Sequence, residues 1–327
     1  MAQVKKQPIL SICIPTFDRS QYLVKSVESV IASEGFNEED VEIVISDNAS
    51  TDETQKTMLD YSKKYPNIKY YRNEENIRDR NFPKVISRAT GIYRKLCNDT
   101  LVFKKDSIRK LIDIIQRNRE EKPVIFFDNK DNGILHGTSL EAFLYKVSYN
   151  ITWIGGFGVW EDFCDGIADS VEGCDESLWQ VPFLFRYIDA KKDVLIIEEP
   201  YSETQVVSRK DISYGLFAVF YVNYLGFVRR YLDTGVISQS CYDFLEKDLL
   251  FNFFPFWMYN WQRQNNRLEY SKEENLVESV MNAYKGKPYY NKFRRFYAFF
   301  RIKMSVKNVL RLLLYLGKIV IRKELTI

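Results

Sequence analysis

The run from Ile43 to Thr54, IVISDNASTDET, constrains the fold more than any other stretch of the chain. Its first residues are apolar and β-branched, as a buried strand requires. It then breaks into Asp47, Asn48, Ser50, Thr51 and Asp52, small polar side chains that favour tight turns. Thr51 or Asp52 can cap a helix running from about Thr54 to Tyr65. Open α/β sheets bind ligands beyond the carboxyl ends of their strands, so clustered carboxylates and amides at such an end mark a first candidate site.

The same alternation recurs along the first half. Strand-like runs are ILSICI (9–14), IKYYR, YRKLC, VIFFDN and VLIIEEP (194–200), and helical patterns fall near 22–33, 81–90, 106–117, 140–147 and 177–188. This spacing predicts right-handed βαβ units and a mostly parallel sheet flanked by helices. Between them, TWIGGFGVWEDFCDGIADSVEGCDESLWQ is rich in glycine and aromatics and reads as loops lining a cleft. Helical patterns dominate after about Tyr214. The length of 327 residues fits a catalytic-type α/β domain over 1–210, with halves meeting near 120, followed by a helical region over 211–327.

Five cysteines form no CxxC pair, and two of them, Cys13 and Cys97, fall inside strand-like runs, which fits reduced thiols in a cytoplasmic protein. No signal-like apolar stretch precedes the first strand, so export is not expected. The lone histidine, His136, lies in a turn context and receives no role.

Four segments, LSICIPTFDR (10–19), EIVISDNASTDET (42–54), ENIRDRNF (75–82) and YRKLCNDT (93–100), together resemble the inverting GT-A glycosyltransferases of family 2, in particular bacterial members that build surface polysaccharides such as O-antigen and capsule. The resemblance covers roughly the first 110 residues and thins beyond 130. It implies a GT-A fold, Rossmann-like with a helical C-terminal extension. It also implies a nucleotide-diphosphate sugar donor, of UDP type, and a lipid-linked glycan acceptor. Pro15 and Thr16 would then end the first strand beside the nucleobase, Asp47 would accept a base N–H, and Asp18 would support the nucleoside, with Asn48 beside them. Charge-assisted bonds of this kind contribute about 1.5–3 kcal/mol each. Helix capping is the competing role for Asp18 and Asp52, and Asn81 is either nucleotide-facing or an N-cap.

The chain departs from the family pattern at two places. Where the family has a DxD cluster, this chain has Cys97, Asn98, Asp99 and Thr100, leaving Asp99 as the carboxylate for Mn or Mg. A hard dication wants one or two carboxylates plus phosphate oxygens, so metal use is in question. Where the family commonly has Gly, this chain has Arg78, near Arg80 and Lys84. These cations either offset the diphosphate charge, in place of a metal or alongside it, or are solvated charges at a helix start. The resemblance also calls for a general base on the acceptor side, and GCDESLWQ offers Asp175, with Glu176, Asp165, Asp169 and Glu172 as alternatives. Trp153, Phe157, Trp160 and Trp179 flank it as sugar-stacking faces or as loop packing, and Gly155, Gly156 and Gly158 let backbone come close. A non-catalytic sugar-nucleotide binding or scaffold protein remains the rival class.

Charge is unevenly distributed. Residues 281–327 hold 12 Lys and Arg against one acid, Glu324, whereas the rest of the chain holds 35 basic and 43 acidic residues. Lys303, Lys307, Arg311, Lys318 and Arg322 fall within one sector of a helix, opposite an apolar face from Val309 to Ile321. This pattern fits a helix lying on an anionic membrane surface, on the cytoplasmic face, rather than crossing the bilayer; a helix docked on the body or a homodimer contact would use it equally. An acidic body without a recognition module argues against nucleic acid.

Overall fold

The computed structural model describes residues 6–208 and 210–324, excluding the side chains of residues 210 and 308–324. The chain divides into two compact units, residues 1–208 with 219–245, and residues 209–218 with 246–327.

The first unit opens with β1 (Leu10–Thr16), α1 (Ser20–Ile31), β2 (Val41–Asp47), α2 (Thr54–Lys64), β3 (Ile68–Arg72), α3 (Asn81–Ser87) and β4 (Tyr93–Leu96). It continues through β5 (Leu101–Phe103), α4 (Ser107–Arg117), β6 (Val124–Phe127), β7 (Gly133–Gly137), α5 (Leu140–Val147), β8 (Gly158–Trp160), α6 (Gln180–Lys191), β9 (Val194–Glu198) and β10 (Ser202–Thr204). The main sheet runs β3-β2-β1-β4-β8, parallel except for β8, which pairs antiparallel with β4. A second sheet places β9 between β6 and β7, and β5 pairs with β10.

Every residue of β1 and β2 is buried, which explains why both read as near-continuous apolar runs. Helices cover the sheet with the faces their periodicity marks: Leu23, Val27 and Val30 on α1, and Ile108, Leu111, Ile112 and Ile115 on α4. Each fully buried aliphatic side chain of this kind contributes about 1.5–3 kcal/mol. Register across the sheet is locked by one buried acid, Glu42 on β2. Its carboxylate accepts from Ser11 Oγ (2.6 Å), Thr90 N (2.5 Å), Thr90 Oγ1 (2.9 Å), Gly91 N (3.1 Å) and Lys69 Nζ. Burial alone would raise its pKa, but the bonds from Lys69, Ser11 and Thr90 outweigh that and hold it below the ordinary value.

Two differences from the sequence expectation stand out in the middle of the chain. The glycine-rich stretch is not loop throughout, because β8 adds a short antiparallel edge to the main sheet. The helix expected from Ser177 begins at Gln180, since Ser177 adopts a left-handed backbone at φ 59° that a helix cannot include. Of the four aromatic side chains expected to flank the acceptor acid, Phe157, Trp160 and Trp179 are completely buried and pack the core, leaving Trp153 half-buried. All five cysteines are free and buried.

After β10 come β11 (Lys210–Ile212), α7 (Leu225–Asp233), α8 (Gln239–Asp248), α9 (Phe254–Gln262), β12 (Leu268–Tyr270), α10 (Leu276–Tyr284) and α11 (Tyr290–Glu324). In the second unit β11 pairs parallel with β12, and Glu274 accepts from the backbone of Leu216, Phe217 and Ala218. Buried Phe293 and Tyr297 seat α11, while Phe299, Ile302 and Val306 are 66%, 64% and 53% exposed. No helix among the described residues is long and apolar enough to cross a membrane. The expected basic and apolar faces from 308 onward, including Arg311, Lys318 and Arg322, lie outside the described side chains.

Candidate functional site

β1, β2 and β4 are parallel, so the residues that follow them emerge on one edge of the sheet. Thr16 lies opposite Asp47 in register, and Asn48 N donates to Thr16 O (2.9 Å). Across the other side of β1, Cys97 N donates to Cys13 O, which sets Asn98 and Asp99 at the same edge. Thr16 Oγ1 then donates to Asp99 Oδ2 (2.9 Å), and Arg19 reaches Asp99 Oδ1 at 3.3 Å. Asp99 is almost wholly buried. Burial raises its pKa, and Arg19 and Thr16 oppose that rise in part.

Asp47, completely buried, accepts from Ser50 N (2.9 Å), Ser50 Oγ (2.5 Å), Tyr70 OH (2.5 Å) and Arg72 (3.0 Å). Its carboxylate therefore organises the turn that follows β2. The phenol of Tyr70 is held far above its usual pKa by burial and by its bond to Asp47, so it acts there as a donor. Asp18, at φ 50°, accepts from Thr51 N (2.6 Å) and donates its own N–H to Ser50 Oγ (2.9 Å), tying the loop after β1 to the loop after β2. Asp52 links the starts of two helices by accepting from Thr54 N and Ser20 N, both at 2.9 Å. Pro15 is buried within β1.

The loop after β3 closes a third side. Asn48 donates to Asn76 Oδ1 (2.7 Å) and Arg78 O (3.3 Å) and accepts from Asn73 Nδ2 (3.1 Å) and Ile77 N (2.9 Å). Arg78 stands at φ 51°, a left-handed backbone that favours glycine, which gives a physical reason for the family's usual residue at this position. Asn81 is no cap. Its amide donates to Ser46 O (2.8 Å) and its oxygen accepts from Ser46 Oγ and Asn73, fastening α3 to β2.

Asp175 lies five residues ahead of α6, 85% exposed on its side chain, and meets Arg80 at 3.7 Å. The geometry thus joins Thr16, Asp18, Asp47, Asn48, Arg78, Asn81 and Asp99 through direct bonds or neighbouring turns, and Arg80 carries the connection on to Asp175. Asn98 Oδ1 is buried with no hydrogen-bond partner among the described residues. Lys84 shares α3 with Asn81.

Arg19 is the residue that sequence reasoning passed over. It sits inside the quoted segment LSICIPTFDR, and the signal available was a cation one residue beyond Asp18; its partner lies 80 residues away. Tyr70 and Arg72 were missed for the same reason, since only strand pairing brings them to Asp47. Among the described residues no group of three or more His, Cys, Asp or Glu is placed to hold a metal ion. Asp99 is the one carboxylate expected to ligate, and Arg19 and Thr16 already engage both its oxygens. That set fits a dication only if a ligand's phosphate oxygens complete the shell.

Comparison with known proteins bears on the fold and on this edge of the sheet. The S. aureus TarS 1-349 structure in complex with UDP aligns over 89% of this chain and 88% of that one, with TM-score 0.54 and 12% identity. The TarS 1-349 complex with UDP-GlcNAc gives TM-score 0.53 over 89% of both chains at 12% identity. The fold is GT-A. Abequosyltransferase RfbV of Salmonella typhimurium is 38% identical over 129 residues, 38% of this chain and 37% of that protein. A Methanococcus voltae protein, dolichyl N-acetyl-alpha-D-glucosaminyl phosphate 3-beta-D-2,3-diacetamido-2,3-dideoxy-beta-D-glucuronosyltransferase, is 30% identical over 155 residues, 46% of this chain and 47% of that protein. The matches therefore span less than half the length of these two relatives. Residues 11–165, which supply the strand ends and most of the loops just described, carry the match to the family model described as Glycosyl transferase family 2.

Proposed function

We propose that the chain is a glycosyltransferase that moves a sugar from a nucleotide-diphosphate donor, of UDP type, to a hydroxyl of a lipid-linked glycan acceptor with inversion, in the synthesis of a bacterial surface polysaccharide. The observation that carries this reading is the single connected edge running from Asp99 through Thr16 and Asn48 to Arg78, and by way of Arg80 to Asp175.

On this reading Thr16, Asp18, Asp47 and Asn48 shape the nucleoside end. Asn98 Oδ1, buried and unpartnered, accepts from a ligand N–H or hydroxyl, which removes the cost of leaving it unsatisfied. Asp99 faces the ribose and diphosphate side, and a Mn or Mg ion shared with the phosphates would neutralise charge on the leaving group. Arg78 and Arg80 would supply positive charge toward the same diphosphate. Asp175 takes the proton of the acceptor hydroxyl as its oxygen attacks the anomeric carbon and the diphosphate departs on the opposite side. Its exposure suits a base that must meet an incoming acceptor. Acceptor entry would displace only the contact with Arg80, which is solvent-screened and therefore weak.

The basic amphipathic tail of the helical region 211–327 is assigned to membrane association at the cytoplasmic face. Exposed Phe296, Phe299, Ile302 and Val306 on α11, with the cations around them, support this.

The test is a panel of nucleotide sugars screened for thermal stabilisation, followed by transfer assays with Asp175→Asn. The variant should keep donor affinity within about twofold and lose at least 100-fold in turnover, in line with removal of a general base. Wild-type turnover in Asp175→Asn removes that residue from the mechanism, and a panel with no stabilising member removes the donor.

A further inference from the structure

Lys95, in the middle of β4, is completely buried and has no carboxylate partner among the described residues. Its ammonium donates to Gly155 O (2.5 Å) and lies over the rings of Phe127 (4.2 Å) and Tyr201 (4.8 Å). Tyr201 OH donates to the same carbonyl at 2.7 Å. Burying a cation against one neutral acceptor and two ring faces costs folding free energy, and the burial pulls the pKa of Lys95 down to about 8. A methionine of similar length would fill the space at no such cost. The lysine must therefore be explained by what it holds.

What it holds is the segment leading into β8, beside the end of β4 that Asn98 and Asp99 follow. β8 runs antiparallel to β4 with Lys95 opposite Gly158, and Leu96 N donates to Phe157 O. Ahead of Phe157 the extended pairing ends and Ile154–Gly156 form a 3-10 turn, and it is the Gly155 carbonyl of this turn that Lys95 holds. The segment is moulded closely: a Cβ on Gly155 would stand 2.5 Å from the Trp153 ring, and one on Gly156 2.5 Å from the Phe126 ring. Position of the Gly155 carbonyl thus fixes the lie of Trp153 over it.

We infer that Lys95 is a positioning residue: together with Tyr201 it fixes the Gly155 carbonyl and so holds the 153–157 segment as the acceptor-side wall of the pocket. This rests on reading the strand edge as the nucleotide-sugar pocket. Lys95→Met in the full chain is expected to speed amide exchange at 155–157 by about tenfold, the loss of one charge-assisted bond, with protection of β1 and β2 unchanged and the melting temperature equal or higher. Lys95→Gln, which keeps an uncharged donor, should recover part of the protection, and Tyr201→Phe should loosen the same segment. In transfer from whichever nucleotide sugar stabilises the protein, Lys95→Met should raise the acceptor KM about tenfold and leave the donor KM unchanged. Unchanged exchange in both Lys95→Met and Tyr201→Phe overturns the inference, as does a lowered melting temperature with loosening spread through the sheet, or a donor KM that rises in step. Titration of wild type with UDP and GDP is read separately: absence of binding to both removes the pocket assignment whatever the exchange shows.

Discussion

Asp79 sits between Arg78 and Arg80 in the short turn before α3, partly removed from water, and no hydrogen bond to its carboxyl is found among the described residues. Burial raises its pKa from 3.8 to about 6, with Arg78 pulling the other way. Its charge also acts on the nearby Cys174 thiol, which burial and Asp79 together push up to about 12. The folded state therefore binds this proton more tightly than the unfolded chain. Its contribution to stability is complete below pH 4 and is lost as the pH rises through about 6. Asp79→Asn should stabilise the protein at pH 7, by on the order of 1 kcal/mol once partial exposure is allowed for, and should flatten the stability profile between pH 4 and 6. Urea unfolding at half-unit steps across that range checks it; a variant with the wild-type slope shows that the carboxyl is better hydrated than its surroundings imply. Such a penalty beside Arg80 and Asp175 fits a loop kept for ligand contact rather than for folding.

At the scale of elements, Glu42 does the joining. It accepts from Ser11 on β1, from Lys69 on β3 and from Thr90 and Gly91 just ahead of β4, so one side chain sets four strands in register. Glu42→Gln can keep its amide oxygen on the two backbone N–H groups that share Oε1, but its NH2 then faces the Lys69 ammonium, which loses both its acceptor and its counter-charge. A loss of about 3–5 kcal/mol is expected, measured as a shift in the urea midpoint at constant slope. Because the folded pKa of Glu42 is depressed, its contribution is present above pH 4.5 and fades as the pH falls through the folded value, and the variant should lack that acid limb. A midpoint within experimental error of wild type would place the register elsewhere. The strands that Glu42 aligns were legible from the sequence, since β1 and β2 are apolar runs and β3 and β4 mix Ile, Leu and Tyr with Lys and Arg, each bounded by polar turns. So were β6 and β9. The three-residue strands β5, β8 and β10 were not, because their pairing comes from distant partners rather than from any local pattern. The same division runs through the site. Asp47, Asn48 and Asp99 announce themselves as polar groups at strand ends, whereas Arg19, Tyr70, Arg72 and Lys95 gain meaning only when the sheet brings their partners to them.

On the scale of the whole molecule, the division of charge makes the last prediction. A region with 12 cations and one acid follows a body with an excess of acids, and the described part of α11 turns Phe299, Ile302 and Val306 to solvent. At 100° per residue these three share one side of the helix with Arg295, and Lys292, Lys303 and Lys307 border that side. Apolar burial in the headgroup region and attraction to anionic lipid would then act together, with about 1 kcal/mol from each cation at the surface. The two contributions separate by salt, because the screening length falls from about 10 Å at 0.1 M to about 3 Å at 1 M while apolar burial persists. Full-length protein should co-sediment with vesicles containing phosphatidylglycerol, bind at least tenfold less at 1 M salt, and bind purely zwitterionic vesicles weakly. Phe299→Glu with Ile302→Glu should reduce binding even at low salt, since the substitution removes the apolar contact and adds repulsion. Equal binding to charged and neutral vesicles, or indifference to the double substitution, would turn this face of α11 from lipid towards a protein partner, and gel filtration of the same samples would then reveal the second copy as a doubled mass.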